Sequence, residues 1–159
     1  MAIRASIFTT VDARAFGAAL DDRRALIEEC NGVDWDVSLP GWRERYESYY
    51  RNAFEAGTAA LVVLTMESTH TGSCVVSIQD EFRRTVCGAG IGYLNGLYVH
   101  REFRGHHVGT TLVSAAIEWL GERGCSTVRL HPTSASQHFY ERLGFSAIQE
   151  LEYRANPAF

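Results

Sequence analysis

Leu97-Tyr98-Val99-His100-Arg101-Glu102-Phe103-Arg104-Gly105-His106-His107-Val108-Gly109-Thr110 is the stretch on which the fold turns. Leu97 to Val99 continue an apolar, β-prone run and predict a strand. The basic, glycine-containing segment after them predicts a turn, and Val108 opens a helix. A turn feeding a helix N-terminus presents backbone N–H groups to an anion, and the helix dipole favours negative charge there. Gly105 and Gly109 permit close backbone approach, and Arg101 and Arg104 add positive charge, with Arg104 able to make forked hydrogen bonds.

Working outward, Val108 to Glu122 predicts a helix whose apolar face is Val108, Leu112, Val113, Ala116, Ile117 and Leu120. Thr127 to His131 predicts a strand stopped by Pro132, Ala135 to Leu143 a short helix ended by Gly144, and Phe145 to Tyr153 a last strand. Upstream, Ile3 to Thr9 predicts a strand and Asp12 caps a helix running to Glu29. A loop over Val33 to Pro40 leads to a helix from Gly41 to Ala56, in which Trp42, Tyr46, Tyr49, Tyr50, Ala53 and Phe54 recur at helical spacing. Ala59 to Met66 and Cys74 to Gln79 predict paired strands about a Thr71-Gly72 turn. Asp80 to Gly90 is polar and irregular. Its Gly88-Ala89-Gly90-Ile91-Gly92 precedes a strand, whereas a dinucleotide fingerprint follows one. Asn95-Gly96 is a hairpin signal, but splitting Ile91–Val99 there leaves two very short strands, so a bulge is expected. The order β-α-α-β-β-β-α-β-α-β predicts an α/β fold, a central mixed sheet with helices on both faces.

The 159 residues suit a single domain, 1–159. A formal net charge of −4 argues against a broad nucleic-acid surface. All 15 basic residues are arginine, so the chain has no lysine to modify on itself and none for catalysis. Cys30, Cys74, Cys87 and Cys125 are widely spaced and fit free thiols in a reducing cytoplasm. No signal peptide or membrane span is expected. No metal is expected either, because the adjacent His106 and His107 do not aim at one ion.

The turn is followed about thirty residues later by Phe139-Tyr140-Glu141-Arg142-Leu143-Gly144-Phe145. Together the two motifs resemble the GCN5-related N-acetyltransferase (GNAT) family. Its turn pattern is Arg or Gln, two residues, Gly, one residue, then Gly or Ala. Arg104, His107 and Gly109 stand at those places, with His107 where glycine is usual and Arg101 where a proline is common. The likeness covers roughly residues 59 to 153.

The resemblance implies acetyl-CoA as co-substrate. Arg104, Gly105, His106, His107, Val108, Gly109 and Thr110 would cradle its pyrophosphate. Leu97, Tyr98 and Val99 would pair with the pantetheine arm and hold the thioester oxygen. Ser134 and Ser136 lie where the family contacts the cofactor, and Tyr140 matches a tyrosine beside the departing sulfur. His100, His106 and His107 are solvated side chains or titratable phosphate contacts. The general base is not legible. Asp80, Glu81, Asp34, Asp36, Glu44 and Glu47 are solvated surface carboxylates or edge the region that walls the acceptor in the family, and Trp35, Trp42, Tyr46 and Tyr50 read as core, with one or two lining an acceptor pocket.

The implied activity is N-acetylation of a small-molecule or peptide amine, by direct transfer in a ternary complex. The alternatives are a non-catalytic CoA-binding sensor, or an O-acyltransferase or acyl-CoA hydrolase on the same fold. Partners are the acyl-CoA and the amine, without nucleic acid or membrane; a homodimer is left open.

Overall fold

A computed structural model describes residues 3–30, 36–81 and 90–153. Strand β1 (Ile3–Phe8) leads into helix α1 (Ala13–Glu29), whose first turn is capped by the Asp12 carboxylate accepting from the Ala15 amide at 2.8 Å. Helix α2 (Trp42–Glu55) follows, then strands β2 (Ala59–Met66), β3 (Thr69–Gln79) and β4 (Ile91–Val99). Helix α3 (Val108–Glu122), the short strand β5 (Val128–Arg129) and helix α4 (Gln137–Arg142) complete the regular structure.

The sheet order is β1-β2-β3-β4-β5. The first four strands are antiparallel neighbours; β4 and β5 are parallel, with α3 as the crossover. This is the mixed sheet that the element order predicts.

Strand β2 is buried on both faces, and its two-residue alternation sorts the core. Ala60, Val62 and Leu64 join Val108, Leu112, Ala116, Trp119 and Leu120 of α3, and Tyr140 of α4. Ala59, Leu61 and Val63 join Phe16 and Leu20 of α1, and Trp42, Tyr50 and Phe54 of α2. No helix among the described residues is long and apolar enough to cross a membrane.

Four expectations need correcting. The β2–β3 turn is Glu67-Ser68, both left-handed at φ 49° and 68°, not Thr71-Gly72. Positive φ at both positions is what a type I′ two-residue hairpin turn requires, whichever residues supply it. Gly72 lies inside β3, where a Cβ would sit 2.3 Å from the Tyr98 carbonyl oxygen; its glycine serves close strand approach. On α3, Ile117 is exposed and Trp119 is in the core; Trp119 continues the Leu112–Ala116 row at helical spacing, and Ile117 falls off it. Tyr49 of α2 is likewise exposed.

The last correction concerns 145–153, which has no strand assignment. Val128–Arg129 is too short to template a ladder, and Ile148, Leu151 and Tyr153 are exposed.

The bulge is present: Ser73 faces Tyr98 but Val75 faces Asn95, so β4 carries one extra residue, with Gly96 at φ 60°. Of the Gly88–Gly92 run, Gly88 and Ala89 lie outside the described residues, and Ile91 and Gly92 already belong to β4.

Candidate active site

Strand β4 is laddered to β3 along its length but to β5 only at Gly92 and Tyr93. Beyond Tyr93 its β5-facing edge has no strand partner among the described residues. Leu97 and Val99 pack on the α3 side of the sheet. Tyr98 turns to the other face, where its hydroxyl donates to Glu29 Oε1 at 2.9 Å.

The chain leaves β4 through His100, whose amide donates to the Thr71 carbonyl at 3.0 Å. A single 3-10 turn, Arg101–Phe103, then brings Arg104 beneath the strand end. Gly105 at φ 83° and His107 at φ 61° both take left-handed backbone. For glycine this is free; for histidine it costs about 1–2 kcal/mol. His107 is the N-cap of α3, and no side chain caps this end. The amides of Val108, Gly109 and Thr110 therefore open a helix that offers them no internal acceptor. Gly105, His106 and His107 are exposed, while Val108 is buried. Gly109 has a packing reason too: a Cβ there would come within 3.1 Å of the Phe139 ring.

The arginine side chains of the turn, though exposed, are engaged by Glu29. Arg104 donates from Nε to the Val99 carbonyl at 2.9 Å and from Nη2 to Glu29 Oε2 at 2.8 Å. Arg101 Nε donates to Glu29 Oε1 at 3.0 Å. Glu29, at the end of α1, thus gathers two guanidiniums and a phenol. Burial alone would raise its pKa, but hydrogen bonds from Arg104, Arg101 and Tyr98 outweigh that and lower it to about 2. The pair of arginines and one carboxylate leaves a net positive charge behind the turn.

Tyr140 is buried on the α3 side, edge-on to Phe139 at 5.0 Å and to Phe145 at 5.7 Å between ring centroids. Burial, and then proximity to Cys74, pushes its phenol up to about 12. It stays protonated at neutral pH and can donate a hydrogen bond. Tyr140 also lines an open cavity of about 1230 Å³ between β5, α4 and 145–153, a space that none of Arg104 to Thr110 touches. The Ser136 hydroxyl is committed to Thr133, accepting from its amide at 3.0 Å; it shapes the turn into α4.

On the opposite face, Asp36 accepts a forked pair from Arg23, both bonds 2.7 Å. Arg23 lies over the Tyr46 ring and beside Gly96 at the β4 bulge. Burial raises the Tyr46 and Tyr50 phenols. Glu81 pairs with Arg129 at 3.5 Å, and Glu47 with Arg51. Asp34 and Trp35 lie outside the described residues. Sequence reading missed Glu29, Arg23 and Asp22, because their partners are distant along the chain and only packing unites them.

The model of the "Acetyltransferase (GNAT) family" matches residues 26–145. The chain is 26% identical over 129 residues to N-alpha-acetyltransferase 30 of Schizosaccharomyces pombe, covering 79% of this chain and 81% of that protein. It is 34% identical over 76 residues to glucosamine 6-phosphate N-acetyltransferase of Trypanosoma brucei brucei, 48% of this chain and 50% of that one. Its fold is similar to a GCN5-related N-acetyltransferase from Ralstonia eutropha JMP134, with TM-score 0.80, 19% identity, and coverage of 96% and 98% of the two chains. With the family model spanning strand, turn, helix α3 and the Tyr140 segment, the chain belongs to the GNAT family of acetyltransferase enzymes.

Proposed function

We propose that the protein transfers an acetyl group directly from acetyl-CoA to the amine of a small-molecule or peptide acceptor, as a single domain binding both substrates together. The observation that carries this reading is the uncapped N-terminus of α3, reached through left-handed Gly105 and His107, beside the strand-free edge of β4. Backbone amides of Val108, Gly109 and Thr110 bind the pyrophosphate. The positive balance of Arg101, Arg104 and Glu29 supports that site from behind. Arg104 acts here by fixing the Val99 carbonyl and the turn, not by reaching for phosphate.

Acetyl-CoA supplies an activated thioester. The amine nitrogen bonds to its carbonyl carbon, the C–S bond breaks, and sulfur leaves as thiolate. The free edge of Leu97 to Val99 hydrogen-bonds the pantetheine arm and steadies the oxygen as charge develops. Tyr140 donates a hydrogen bond to the departing sulfur. Its high pKa, set by burial and Cys74, makes this a hydrogen bond more than a full proton transfer, since a thiol ionises near ~8.5. The amine proton leaves to water or to a carboxylate on the acceptor side, where Asp36 stands on Arg23. Free thiols at Cys30, Cys74 and Cys125 suit a reducing cytoplasm.

The test is a panel of small-molecule and peptide amines with acetyl-CoA, reading free thiol release and the mass of the product. Acetylated amine with stoichiometric thiol supports the reading. Thiol release without acetylated amine indicates hydrolysis, and an acetyl ester indicates O-transfer. Tight CoA binding with no turnover across the panel favours a sensor, the reading encouraged by His107 in the glycine position.

A further inference from the structure

A polar cluster on the α1 face of the sheet is used by none of this chemistry. Asp22 of α1 is 2% exposed, yet its carboxyl meets two histidines and a serine. His70 Nε2 lies 2.8 Å from Asp22 Oδ2, and His100 Nε2 lies 2.9 Å from Oδ1. The Ser73 hydroxyl donates to Oδ2 at 2.6 Å. The three ligand-type residues come from three places in the fold: the middle of α1, the start of β3 and the exit of β4. Their donor atoms all lie within 4.8 Å of one another.

We propose that Asp22, His70 and His100 form a divalent transition-metal site of the Zn²⁺ class. The donor set is two imidazole nitrogens and one carboxylate oxygen, the borderline N/O set that Zn²⁺ takes with a fourth position open to water. Both histidines present the same atom, Nε2, so one ion between them and an Asp22 oxygen closes the set. Around tetrahedral zinc, with bonds of roughly 2.0–2.2 Å, ligand atoms stand about 3.3 Å apart. The two histidine–aspartate contacts, 2.8 and 2.9 Å, therefore lengthen by a fraction of an ångström to admit the ion, which replaces the protons now bridging the histidines to Asp22. Each imidazole moves its proton to Nδ1 or releases it. An entry path exists, because the His70 and His100 side chains are 23% and 36% exposed while the carboxyl beneath them is not. Ser73 remains as a hydrogen-bonding partner that orients the carboxylate. The ion joins α1 to β3 and to His100, the residue from which the cofactor turn departs. It lies across the sheet from Tyr140, apart from the proposed transfer chemistry.

The competing account is a metal-free hydrogen-bonded lock, in which the two histidines and Ser73 simply satisfy a buried carboxyl. Calorimetry on tag-free, chelator-treated protein separates them, with Zn²⁺ alone as titrant and Co²⁺ as spectroscopic substitute. The proposal expects one Zn²⁺ per chain, visible Co²⁺ absorption of tetrahedral strength, and a higher Tm with Zn²⁺. His70→Gln and His100→Gln should each weaken binding by more than the roughly 10–100-fold that loss of an outer-shell partner costs. His138→Gln, at an exposed position of α4, should leave it unchanged. Circular dichroism checks that each variant is folded. His100 is half-exposed and outside the strands, so His100→Gln keeps the test open if His70→Gln does not fold. No saturable binding by the wild-type protein establishes the lock and overturns the proposal. So does one-to-one binding that survives both histidine substitutions, since the ion then sits elsewhere.

Discussion

Tyr140 carries the sharpest expectation at the scale of single residues. Tyr140→Phe keeps the ring between Phe139 and Phe145 and removes only the hydroxyl, so Tm should hold. The kcat should fall by about tenfold to a hundredfold, at or below the low end for a lost general acid, because a thiolate already leaves well. The KM for acetyl-CoA should barely move, since the hydrogen bond strengthens only as charge reaches sulfur. Steady-state kinetics with the best amine, backed by pre-steady-state thiol release, check both. Unchanged kcat and unchanged thiol release make Tyr140 a packing residue.

His107 offers a second residue-scale prediction. Its left-handed backbone is strained and its side chain is exposed. His107→Gly should raise stability by about 1 kcal/mol and leave CoA affinity unchanged, because the cradle is backbone. A clear loss of affinity in calorimetry would instead show the imidazole touching the ligand.

Between elements, the tie that matters most is α1 to the exit of β4, through Glu29. The folded carboxyl sits at about 2 against an ordinary 4.5. A depressed carboxyl pKa stabilises fully above the unfolded value and loses that contribution as pH falls through the folded one. Wild-type protein should thus exceed Glu29→Gln in stability above pH 4.5, and the gap should close as pH falls towards 2. Urea melts across that window check it; a constant gap would contradict the clamp. Gly72→Ala tests the β3–β4 contact. Its Cβ would meet the Tyr98 carbonyl at 2.3 Å, backbone against backbone, so neither side yields easily. A loss of about 2 kcal/mol or more is expected from denaturant melts.

Elements were legible where their periodicity is local. Helix α3, the basic turn and the β4 bulge all announce themselves within about a dozen residues. Gly72 misled because a glycine for close strand approach reads like one for a turn. The polar ties were invisible: Glu29 meets Arg104 and Asp22 meets His100 across gaps of 75 and 78 positions. No periodicity records such pairings. The predicted last strand failed for a related reason, since pairing depends on the neighbour, and β5 offers only two residues.

On the scale of the whole molecule, two cores on either side of β2 hold α1 and α2 against one face and α3 and α4 against the other. The turn from Arg101 to His107 leads into α3 from the end of β4, whose Leu94, Leu97 and Val99 pack in the α3-side core. The central claim is that this turn recognises the pyrophosphate of CoA through backbone amides at the N-terminus of α3. Calorimetry comparing acetyl-CoA with acetyl-pantetheine, which lacks every CoA phosphate, tests it most directly. Two charge-assisted hydrogen bonds of about 1.5 kcal/mol each predict at least a roughly hundredfold preference for acetyl-CoA. Equal affinity for the two would contradict the claim.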